Sequence, residues 1–88
     1  MDGVFDKLKI QLDQQEWPNV YLFKFIVPSS SENIARVNAL FGEAAEISTQ
    51  PSRNGNFISI SVKEMMLDSQ SIIAIYEEAS KIKGLIAL

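Results

Sequence analysis

The chain has 88 residues, a net charge of −3 and 47% apolar residues, enough for one folded domain and too apolar for disorder. It has no cysteine and no histidine, so disulfides, thiolate chemistry, cysteine-based metal sites and the commonest general base are excluded. The acidic balance argues against a nucleic-acid binder, which draws affinity from clustered Lys and Arg, and no apolar run approaches a membrane span.

Residues 3–14 (GVFDKLKIQLDQ) place Val4, Phe5, Leu8 and Leu12 at helical spacing, with Asp2 as the N-cap. Trp17-Pro18 ends this helix, because proline disfavours helical geometry in the residue before it. Residues 19–27 (NVYLFKFIV) alternate as a strand: Tyr21, Phe23, Phe25 and Val27 share one face, Leu22, Lys24 and Ile26 the other. Residues 31–41 predict a helix with Ile34, Val37, Leu40 and Phe41 inward. Ser29 and Glu32 have capping-box spacing, and Gly42 suits a left-handed stop.

Two further strands follow at 44–50 and 57–66. Ile58, Ile60 and Val62 face one way; Phe57, Ser59, Ser61, Lys63 and Met65 face the other. Asn54-Gly55 between them predicts a tight antiparallel hairpin with positive φ at both central residues. Residues 69–82 predict a third helix, with Ile72, Ile75, Tyr76, Ala79 and Ile82 inward. Asp68 or Ser69 caps it, Lys81 and Lys83 suit its C-terminal dipole, and Gly84 stops it. Residues 85–88 (LIAL) form a last short strand.

The order α–βαββαβ predicts an α+β, ferredoxin-like sandwich: a four-stranded antiparallel sheet with two helices on one face. Residues 1–88 form a single domain, with 1–16 as an added N-terminal helix and 17–88 as the core. The mixed-charge N-terminal stretch has no signal-peptide pattern, so a cytoplasmic location is expected.

Function in such a fold depends on sites. Metal chaperones of this shape need paired cysteines, which are absent. An RNA-recognition strand stacks bases on alternating aromatics, whereas positions 57, 59 and 61 read Phe, Ser, Ser. A phosphate cradle needs glycines and an arginine in the first loop, which reads Val27-Pro28-Ser29-Ser30-Ser31. Ser59, Ser61 and Lys63 form a polar strand stripe with no histidine base, and the carboxylates read as solvated helix faces without a metal spacing. Neither catalysis nor a cofactor or metal is expected. Ser29 to Ser31 could hold an anion but read more simply as a helix cap.

The loop "QPSRNGNFISISV" (50–62) sets the hairpin register. It also presents Pro51, Ser52, Arg53, Asn54, Gly55, Asn56 and Phe57 at an exposed tip, a docking point. With Lys24, Ser59 and Lys63 on the helix-free sheet face, these are the candidate interaction residues. Leu22, Ile26, Phe57 and Met65 add an apolar component to that face, which points to contact with something.

The run from Pro51 to Ser59, with Pro51, Ser52, Gly55, Asn56, Phe57 and Ser59 in place, resembles the hallmark of the YbeD-like family of small uncharacterised bacterial proteins. "YEEASKIKGLIAL", with Tyr76, Glu77 and Glu78, is similar to the family's ending, and the resemblance spans residues 4–88. It implies a ferredoxin-like fold close to ACT-type regulatory domains, which bind small metabolites, often amino acids, at dimer interfaces. It implies no enzymatic activity; a link to lipoate metabolism is a matter of gene neighbourhood. ACT-type loops usually carry a glycine after the first strand, where this chain has Pro28 and serines.

Two functions follow as expectations. One is a non-catalytic regulatory module that binds a small metabolite, as a homo-oligomer. The alternative is an adaptor that binds a protein partner through the open sheet face or the 51–57 hairpin. Whether the N-terminal helix covers that face is left open by the residues alone.

Overall fold

In the computed structural model, which describes Gly3 and residues 5–88, alternation and capping translate into three helices and one sheet. In chain order these are α1 (Asp6–Asp13), β1 (Asn19–Pro28), α2 (Ser31–Asn38), β2 (Glu46–Pro51), β3 (Phe57–Met66), α3 (Ser69–Ala79) and β4 (Ile86–Ala87). The four strands form one antiparallel sheet in the order β2-β3-β1-β4. Asp2, expected as the first N-cap, and Val4, expected in the α1 stripe, lie outside the described residues.

β1 and β3 pair along their whole length, from Asn19 opposite Met66 to Pro28 opposite Phe57. Opposed residues in an antiparallel ladder share a face, so this register stacks Phe23 on Val62, Phe25 on Ile60 and Val27 on Ile58. That face is the core. Phe23, Phe25, Val27, Ile60 and Val62 are fully buried, together with Val37 of α2 and Ile72 of α3. Each such side chain contributes about 1.5–3 kcal/mol by leaving water. The Phe23 ring lies 4.8 Å from Tyr21, 5.1 Å from Phe41 and 5.4 Å from Tyr76, which ties both sheet and helices to one aromatic centre. Tyr76 meets the Tyr21 hydroxyl at 3.0 Å, and burial first, then this hydrogen bond, pushes its phenol pKa upward.

α1 packs against α3, and Leu12 joins the same core cluster. Two polar contacts fix this docking. The Trp17 indole donates to the Leu12 carbonyl at 2.8 Å, and the buried Ser69 hydroxyl donates to the Asp13 carboxylate. The Ser69 bond, then Lys9 at 2.9 Å, holds the Asp13 carboxyl below its ordinary value. α1 therefore sits on the helix side, and the opposite face of the sheet stays uncovered by the described residues.

Several expectations are corrected locally. The cap of α2 is Ser30, whose hydroxyl accepts from Asn33 N–H at 3.0 Å; Ser29 instead donates its N–H to Asn56, and Glu32 pairs with Arg36. Serine 30 wins because it takes the extended conformation directly before the first helical residue. Gly42 is not left-handed; positive φ occurs at Gly55 and Gly84. All three helices are shorter than their periodicity suggested, and no basic residue lies in the last turn of α3, because Lys81 and Lys83 fall beyond it. Asp68, not Ser69, caps α3, accepting from Ser71 N–H at 2.8 Å. Ile73 is buried and Ile75 only half-buried. Gly84, at φ +82°, turns the chain into β4 with Pro28 so close that an added Cβ would meet its Cγ at 2.9 Å.

Candidate interaction face

The alternation that buries Phe23 and Phe25 turns their neighbours outward. Leu22 and Val20 of β1 remain 55% and 54% exposed, and Met65, opposite Val20, 58%. β4 adds Ile86 opposite Ile26 and, one turn of the pleat further, Leu88, whose N–H donates to the Lys24 carbonyl at 2.9 Å. Phe57, at the end of β3, is 44% exposed. These side chains form two apolar groups, one around Leu22 and one around Ile26, with Lys24 between them on β1.

A shallow depression accompanies each group. One, of about 300 Å³, is lined by Leu22, Glu46, Ile47, Ser48, Ser61 and Lys63. The other, of about 310 Å³, is lined by Ile26, Gln50, Pro51, Ser52, Phe57 and Ser59. The first sets Ser48 and Ser61 beside Glu46 and Lys63, and among the described residues no cluster of carboxylates could hold a metal ion.

The hairpin tip is built largely to hold itself. Ser52 N–H donates to Phe57 at 2.8 Å, and Phe57 N–H returns to the Ser52 hydroxyl at 3.1 Å. The Ser52 hydroxyl also donates to Asn54 Oδ1 at 2.9 Å, which accepts Asn56 N–H at 3.0 Å. Gly55 N–H closes a turn onto the Ser52 carbonyl, with φ +77° at Gly55 alone. The expected two-residue turn with positive φ at both Asn54 and Gly55 is thus replaced by a wider loop. The Ser52 and Asn54 side chains close that loop and need no left-handed asparagine.

This divides the sequence-derived candidates. Ser52, Asn54 and Gly55 shape the loop, and Asn56 lends its carbonyl to Ser29. Ser59 donates to the Gln50 carbonyl across the ladder. Pro51, Phe57 and Ser59 line the second depression, Lys63 lines the first, and Lys24 lies between them; Arg53 stands exposed at the tip. Val20, Ile86 and Leu88 also stand on this face, beyond the residues expected there from alternation in 19–27 and 57–66. Alternation in LIAL carries that signal, but only the pairing of Ile86 with Ile26 assigns its face.

Fold and face together define a small α+β domain with three helices on one side of an open four-stranded sheet and an apolar, lysine-bearing surface on the other. The chain belongs to the family described as protein of unknown function (DUF493), whose model matches residues 13–88. No curated protein and no solved structure matches it. No helix is long and apolar enough to cross a membrane among the described residues.

Proposed function

We propose that this protein is a non-catalytic binding module of the YbeD-like, ferredoxin-like type, acting in the cytoplasm by docking a protein partner on its open sheet face. What supports this is the bare face itself: Leu22, Met65, Phe57 and Ile86 keep roughly half their surface in water on one side of one sheet. Exposed apolar groups gathered on one face in this way mark a contact site more often than they mark idle surface. The strand order, with each helix on the same side, supports the ferredoxin-like reading.

A photo-crosslinking amino acid placed at Leu22 or Ser59, against Glu77 on α3, tests the docking reading in the cells that make the protein. Discrete adducts are expected at 22 and 59 and not at 77, and Ile26→Asp should abolish them. Identical adduct patterns from both sides of the sheet would sink the reading.

The two depressions favour a second reading, an ACT-like metabolite module. At about 300 Å³ each is large enough for an amino acid, but both lie open, so a second copy would have to supply the missing wall. Stabilisation by amino acids or lipoate-related acids in a thermal-shift screen, with a matching rise in oligomer size, would favour it.

A further inference from the structure

Charge is sorted between the two sides of the sheet. The open face and hairpin tip carry Lys24, Lys63 and Arg53 against a single acidic side chain, Glu46, which lies opposite Lys63. The other described carboxylates lie on helices, in connecting loops or, for Glu64, on the helix-facing side of β3, where it accepts Gly42 N–H. Away from that face, Lys9, Arg36 and Lys81 are each paired with a neighbouring carboxylate. No ion pair among the described residues engages Lys24, Lys63 or Arg53. An acidic protein thus carries more cationic than acidic side chains on the one surface that is also apolar, although Lys7 and Lys83 elsewhere are likewise in no ion pair among the described residues.

Resting on the docking reading above, we infer that the partner presents an acidic amphipathic segment, with a carboxylate over Lys24 and apolar side chains in the depressions beside Leu22 and Ile26. The spacing follows from the strand. Leu22 and Ile26 are four residues apart, roughly 13 Å at about 3.3 Å per residue, so an extended segment reaches both depressions with apolar residues four apart. The residue midway falls over Lys24, whose neighbours along and across the sheet are Leu22, Ile26, Ser61 and Leu88. A lysine hemmed by apolar groups is partly desolvated once covered, which raises the value of a matching carboxylate.

The same chemistry disfavours other occupants. Two copies stacked face to face bring like charges together at Lys24 and Lys63 without enough carboxylate to offset them. A single-stranded nucleic acid would find one aromatic, Phe57, and too few cations for a backbone track.

The test uses the full-length, isotope-labelled protein and two synthetic extended peptides. One carries leucines four residues apart with a glutamate midway; the other has lysine in place of that glutamate. The acidic peptide should shift the amide signals of Leu22, Lys24, Ile26 and Phe57 and leave α3 unmoved. Its affinity should exceed that of the basic peptide by about fivefold, the factor for a single half-screened ion pair. Lys24→Glu should cancel or invert that preference, with an unchanged fold by circular dichroism. Equal binding of both peptides, indifference to Lys24→Glu, or displacement by an oligouridylate would overturn the acidic-segment inference while the crosslinking result still stands for the face. Shifts confined to the helix side, no shift from either peptide at millimolar concentration, or a concentration-dependent dimer that buries Leu22 would overturn it as well. Only loss of the crosslinking contrast removes the docking reading beneath it.

Discussion

Phe23 and Leu22 are chain neighbours on one strand, yet the first is fully buried and the second 55% exposed. The two faces of this sheet share one backbone, and both carry apolar side chains, the open one interleaved with lysines and serines. One face is closed by α1, α2 and α3 around an aromatic centre; the other is left to solvent, its lysines in no ion pair among the described residues. The difference teaches that exposed apolar side chains alone do not make a core. What marks it is whether a second layer arrives, and the loops and caps direct that arrival.

Substitutions on the two faces should therefore separate widely. Phe25→Ala opens a cavity where ring and sheet meet and should cost about 3–5 kcal/mol, read as a collapse of the urea midpoint. Gly84→Ala probes the turn that carries β4 to the open face. Left-handed geometry alone costs about 1–2 kcal/mol, and contact with Pro28 should add to it. Gly55→Ala, equally left-handed but with nothing within 4 Å, should cost only the conformational part. If the two alanine variants lose the same stability, the close approach at Pro28 is not a constraint.

Smaller effects follow. Ser30→Ala should cost about 1 kcal/mol and Ser29→Ala next to nothing, since only Ser30 caps α2. Acid unfolding sharpens the comparison on the helix side. Asp13 is held below its ordinary 3.8, chiefly by Ser69, so its contribution is complete above that value. It fades as pH falls through the lower folded value, because protonation removes the charge that strengthens the Ser69 bond. Ser69→Ala should flatten that part of the acid limb in a pH series of denaturation curves. On the open face, Leu22→Ser should change stability by no more than about 0.5 kcal/mol; a large loss would mean the face is already occupied by something that folds with it.

Much of the architecture was legible because period-2 alternation in 19–27 and 57–66 is a local property of covalent geometry. The inward set Phe23, Phe25, Ile58 and Ile60 and the interaction candidates Lys24, Ser59 and Lys63 could be placed on opposite faces from that alone. The Asn54-Gly55 signal found the hairpin but mistook its turn. Dihedral preference favours a two-residue loop, whereas side-chain hydrogen bonds from Ser52 and Asn54 stabilise a wider one. The Ser29 cap failed for a related reason: spacing to Glu32 is a pattern, and the hydrogen bond goes to whichever hydroxyl sits next to the first helical residue.

The α+β class, the two long strands and the loss of thiol and imidazole chemistry were determined by the residues themselves, since each depends on near neighbours or on composition. The bare face, the company Ile86 and Leu88 keep with Ile26 and Lys24, and the docking of α1 through Asp13 and Ser69 were decided only in three dimensions. Those contacts join positions dozens of residues apart, and no local preference records which distant segments will meet on either face.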